Sequence, residues 1–76
     1  MELKDFIEKF AEQFDNVDVN ELTPETKFKE LGEWSSLMSL SIIAMADEEY
    51  DVRIKGSDIQ AADTIYDLFL LIQSKK

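Results

Sequence analysis

Residues 36–50, SLMSLSIIAMADEEY, constrain the fold more than any other stretch of the chain. They contain no glycine or proline, and helix-forming residues dominate, so the segment reads as one helix of about four turns. On a 3.6-residue wheel Ile43, Ala46 and Tyr50 fall together, flanked by Leu40 and Ile42, and make a good core face. Leu37, Met38, Ala44 and Met45 fall on the other side, with Ser41 and Glu48. A helix that is apolar nearly all round is either deeply buried or offers an apolar face to something else. The chain has 76 residues, enough for one small domain, 1–76. A domain of that size buries only roughly 60–65% of the surface its unfolded form exposes, and cannot easily surround a helix. The segment is therefore expected to pack with one face and to present the other.

The remaining elements follow from local pattern. Leu3, Phe6, Ile7, Phe10 and Phe14 recur three or four residues apart, with Lys4, Asp5, Glu8, Lys9 and Glu12 between them. This is an amphipathic helix of about three turns. Residues 15–35 lack a sustained period. Asp15, Asn16, Asp18 and Asn20 favour loop, while Val17, Val19, Leu22, Phe28 and Leu31 are apolar enough to pin it to the core. Thr23-Pro24-Glu25 has the form of a cap, a first-turn proline and a first-turn acid, so a single helical turn is expected there. Gly32 ends it or supplies an unusual backbone angle. After residue 50, Val52 and Ile54 alternate with Asp51 and Arg53 as a short extended link. Ser57 with Gln60 fits a capping box that opens a short helix through about Ala62. Thr64 with Asp67 resembles a second box, opening a last helix that carries Ile65, Leu68, Phe69 and Ile72 at helical spacing. Lys75 and Lys76 suit the dipole at its C-terminal end. The expected fold is all-α: a four-helix bundle of three longer helices and one short one, with a long loop between the first two.

Composition removes several function classes. The chain has no cysteine and no histidine, which excludes disulfides, thiolate or imidazole metal sites, and serine–histidine catalysis. The 17 acids against 8 bases give a formal net charge of −9, which argues against binding a nucleic-acid backbone and favours basic partners. No apolar run is long enough to span a membrane, and the N-terminus has no signal-peptide core, so a soluble, cytoplasmic monomer is expected. The acids Asp47, Glu48, Glu49 and Asp51 lack the alternating ligands, central glycine and terminal glutamate of an EF-hand loop. No metal site and no acid–base catalyst is expected from them.

Ser35 and Ser36 are the remaining candidates for chemistry. Either could cap the helix that begins near residue 36, at about 1 kcal/mol. One of them could instead be a point of covalent attachment. The order of the segments around them carries a resemblance that bears on this choice. The first amphipathic helix, the pinned loop, "FKELGEWSSL", the acidic "DEEYDVRI", a short capped helix and a final "TIYDLFLLI" resemble the acyl carrier protein family from end to end.

That family opens its second helix with Asp-Ser-Leu, and its serine carries 4′-phosphopantetheine, donated by coenzyme A, through a phosphodiester. The match here is Ser35-Ser36-Leu37, so the resemblance implies that Ser36 is modified. It implies a carrier rather than an enzyme: an acyl or aminoacyl group is held as a thioester on the arm and presented to other enzymes. The implied partners are a phosphopantetheinyl transferase and acyl-loading and acyl-transferring enzymes, met by Leu37, Met38, Ser41, Met45, Glu48 and Ile54. Ile54 and Ala61 would border the arm or its cargo. Fatty-acid, polyketide, peptide and D-alanyl carriers share the architecture, and fold does not decide among them. The length is that of a free-standing carrier. The chain departs from the pattern in two places. Ser35 replaces the family's aspartate, and Met38 and Ser41 stand where acids usually line the second helix. A docking face more apolar and less salt-sensitive than is usual follows from this. The alternative is a non-enzymatic helical interaction module, an unmodified carrier that binds through the same apolar second-helix face, with Ser36 only a cap.

Overall fold

The computed structural model describes residues 2–76. Four α-helices are present among them: α1 (Leu3–Glu12), α2 (Ser36–Tyr50), α3 (Gly56–Ala61) and α4 (Ile65–Ser74). Single 3-10 turns at Val19–Glu21 and Phe28–Glu30 punctuate the long loop between α1 and α2. The fold is the expected all-helical bundle.

Aromatic contacts fix how the helices run. Phe6, near the start of α1, meets Tyr50 at the end of α2 and Phe69 in α4. Phe14, just past the end of α1, stacks on Trp34, just before α2. The ammonium of Lys76 lies over the Tyr50 ring. Thus α1 is antiparallel to α2 and α4, and the last two run in the same direction. The centre is built from the fully buried Phe6, Phe10, Phe28, Ile42, Ile59, Ile65, Leu68 and Ile72. Burying each such side chain contributes about 1.5–3 kcal/mol, before any gain from aromatic pairing.

The wheel reading of α2 needs correction. Its buried residues are Ile42, Met45 and Ala46, with Met38 and Ile43 partly buried against the core. Leu40, expected at the edge of the core, is 62% exposed, whereas Met45, expected outside, is 2% exposed. The inward face is rotated toward Ile42. A helix apolar on all sides has no strong direction of its own, so the neighbouring helices select the face that packs.

The long loop is held by donors it satisfies elsewhere. The carbonyls of Pro24 and Thr26 accept from the N–H groups of Tyr66 and Ile65. Two otherwise unpaired donors of the first turn of α4 are thereby satisfied. Thr23–Thr26 closes as a hydrogen-bonded turn and does not become the expected helical turn, because its carbonyls are committed to α4. The helical turns form on either side, and Asp18 Oδ1 caps the first by accepting from the Asn20 N–H.

Helix ends show two further differences. The box of α3 uses Asp58, whose carboxylate accepts from the Lys55 N–H, in place of Ser57 and Gln60, and the helix starts two residues early. The unusual backbone angle falls on Asp51, at φ 56, and not on Gly32. Asp51 ends α2 by donating to the Asp47 carbonyl, and Val52 donates to that of Ala46. The box of α4 is as expected: Thr64 Oγ1 accepts from Asp67, and the Asp67 carboxylate accepts from Thr64 and Asp63. These hydrogen bonds hold the Asp67 carboxyl below its ordinary pKa.

Candidate functional site

Ser36 is the first residue of α2 and is exposed. Its place is set by the residue two positions earlier. The Trp34 ring lies edge-on to Phe28 at 4.9 Å and stacks on Phe14 at 6.4 Å, at the end of the aromatic chain that runs through Phe10. The Trp34 N–H donates to the Leu31 carbonyl at 3.0 Å. Before it, the Glu33 carboxylate accepts from the backbone N–H groups of Asp15 and Asn16, at 3.1 and 3.0 Å. This clamp ties the exit of α1 to the entry of α2. It was not foreseen, since it joins segments 17 and 18 residues apart and has no local signature.

Ser35 is the cap. Its backbone is extended, and its Oγ accepts from the Met38 N–H at 3.4 Å, a long bond. Among the described residues no hydrogen bond reaches the N–H groups of Ser36 and Leu37. The first turn of α2 holds no acid, and no base stands in its last turn. An exposed hydroxyl therefore sits beside two open donors at an uncompensated positive helix end. Both features suit a phosphodiester, which brings one negative charge and unshared oxygens. The residues present fit a phosphate-linked group on Ser36.

The other sequence candidates divide. Leu37 is 74% exposed, Glu48 is exposed, and Ser41 and Met38 are half-buried. Met45 and Ile54 are not on this surface. Both lie in the core: Met45 because the inward face of α2 is rotated, and Ile54, at 4% exposure, because the link after α2 folds its alternate residues inward. Ala61 is exposed and lines a hollow of about 310 Å³ between α3 and α4, with Asp58, Ala62, Asp67 and Leu71. A larger groove of about 440 Å³ lies between α1 and the long loop, floored by Leu3, Ile7, Val19, Leu22 and Pro24. Neither contains a residue of α2. Leu40 and Ala44, which sequence reasoning did not assign to the site, are exposed on the same side as Leu37. Their spacing of three and seven residues from Leu37 was the available signal. Among the described residues, no three acids converge to hold a metal ion. No helix is long and apolar enough to cross a membrane.

Comparison with known families gives a match. The family described as "Phosphopantetheine attachment site" matches residues 5–72, nearly the whole chain, from the first turn of α1 to the last turn of α4.

Proposed function

Because the chain belongs to the phosphopantetheine attachment site family, and 4′-phosphopantetheine is therefore its prosthetic group, we propose that Ser36 is the residue that bears it. The observation that carries this assignment is the exposed Ser36 hydroxyl at the open, acid-free start of α2. The arm supplies a thiol, which holds an acyl or aminoacyl group as a thioester. This explains how a chain with no cysteine and no histidine takes part in thioester chemistry. Ser36 contributes only its oxygen, and the base that takes the proton comes with the transferase. Trp34 and Glu33 hold the turn that offers Ser36 outward, while Ser35 starts the helix behind it. The protein is a carrier and not an enzyme: it loads at a transferase and then presents its cargo to acyl-loading and acyl-transferring enzymes, as a single cytoplasmic domain. A mobile arm raises the local concentration of the cargo at each docked enzyme.

The test is an intact mass after incubation with coenzyme A, magnesium and several broad-specificity phosphopantetheinyl transferases. One phosphopantetheinyl group is expected on the protein and on Ser35→Ala, and none on Ser36→Ala. A gain that survives Ser36→Ala refutes the assignment. No gain with any transferase supports an unmodified interaction module instead.

A further inference from the structure

The surface around Ser36 has an unusual charge pattern. One third of the chain is charged, yet no residue from Ser35 to Ala46 is. The outward side of α1, by contrast, carries Lys4, Asp5, Glu8 and Glu12. Two of the four large apolar side chains exposed among the described residues, Leu37 and Leu40, lie here. With exposed Ala44 they form one stripe along α2. Leu40 stands one turn below Ser36 on the same side of the helix, roughly 5–6 Å away between Cβ atoms. The stripe runs on into Asp47 and Glu48, both exposed, about 16 Å from Leu37.

We infer that enzymes acting at Ser36 dock on the Leu37–Leu40–Ala44 stripe through an uncharged apolar patch, with at most a single cationic contact, to Asp47 or Glu48, at its far end. The inference rests on the assignment of Ser36. An enzyme that reaches this hydroxyl, or an arm attached to it, must lie over the first turns of α2, where the exposed side chains are serine, leucine and alanine, with Met38 half-buried beside them. A lysine or arginine set against that surface would lose water and gain no partner. Cations placed beyond the third turn would meet Asp47 and Glu48. Charge complementarity thus selects a partner that is neutral near the serine and basic only at a distance. The net charge of −9 still draws such a partner in, but the bound state is held by apolar burial.

The experiment measures the rate of loading from coenzyme A by one broad-specificity transferase over a range of carrier concentrations. Leu40→Asp is expected to lower kcat/KM at least about tenfold, mainly through KM, with an unchanged thermal midpoint because the side chain is exposed. Leu70→Asp, the same change at an exposed leucine of α4, is the control and is expected to have little effect. Asp47→Asn with Glu48→Gln is expected to cost less than about threefold, as is a change from about 50 to about 300 mM salt, which screens ion pairs and leaves apolar contacts. Equal effects of Leu40→Asp and Leu70→Asp, or a larger effect of the neutralised acids or of salt, overturn the inference. If the unaltered protein loads and Leu40→Asp loads as well, only the docking surface is wrong. If the unaltered protein does not load at saturating transferase, the Ser36 assignment falls and the docking surface falls with it.

Discussion

Asp51 bears the one positive φ among the non-glycine residues described, and it does so where glycine is the usual choice. Aspartate tolerates the left-handed region better than most residues, yet its Cβ still meets the following carbonyl. Its carboxylate also sits at the negative end of α2, behind Asp47, Glu48 and Glu49, with no base in the last turn. Asp51→Gly removes both penalties and loses no hydrogen bond, since the two bonds that close the helix use backbone N–H groups. A gain of about 0.5–1 kcal/mol is expected after the greater flexibility of glycine in the unfolded chain is subtracted. In a domain of this size that raises the thermal midpoint by roughly 2–8 °C. An unchanged or lower midpoint would show that the Asp51 side chain contributes something that its position does not reveal.

Among the elements, α4 is the best satisfied at its start, whereas α2 has only the long Ser35 cap. Thr64, Asp67 and two loop carbonyls cover the first turn of α4. The Asp67 carboxyl is held below its ordinary value of 3.8, first by the backbone N–H of Thr64 and then by that of Asp63. Folding therefore favours the charged form. A depressed carboxylate gives stability that is present above the unfolded pKa and is lost as pH falls through the folded one. Asp67→Ala is expected to melt at a lower temperature than the parent at neutral pH. The gap should close as pH drops below 3.8. Melting curves of both proteins across that range check the sign, and a gap that persists in acid would mean that the carboxylate acts through packing alone.

The same contrast explains what could be read in advance. The α4 box, the stripe of α1 and both ends of α2 were legible because each is set by residues three or four apart. The face of α2 that packs was not legible. Leu40 and Met45 are both apolar, and only the positions of α1 and α3 bring Met45 inside and leave Leu40 out. The loop carbonyls that cap α4, and the Glu33 clamp, join residues far apart in sequence and left no trace in any local pattern. At the site, Ser36 was found from its neighbours in sequence, whereas Leu40 and Ala44 of the exposed stripe had to wait for the fold.

For the whole molecule, loading Ser36 adds a further negative charge to a chain that already carries −9, and two effects of opposite sign compete. Repulsion from the other acids opposes the folded state. Those acids are spread over a body of 28 × 25 × 20 Å, however, and the dense group at Asp47–Asp51 lies at the far end of α2. At physiological ionic strength the screening length is about 8 Å, so most of that repulsion is damped. The positive end of α2 acts within one turn of Ser36, where screening is weakest; its first turn holds no acid, and the nearby Glu33 carboxylate is engaged by the Asp15 and Asn16 N–H groups. A phosphate there is worth about 0.3–1 kcal/mol. The local term wins at this salt, and the loaded protein is expected to melt at a temperature equal to or a few degrees above that of the unloaded one. At about 10 mM salt the screening length grows to roughly 30 Å, the whole acidic body is felt, and the advantage is expected to shrink or reverse. Thermal midpoints of the two forms at both salt concentrations decide the matter. A loaded form less stable at physiological salt would mean that the open N–H groups of Ser36 and Leu37 do not receive the phosphate.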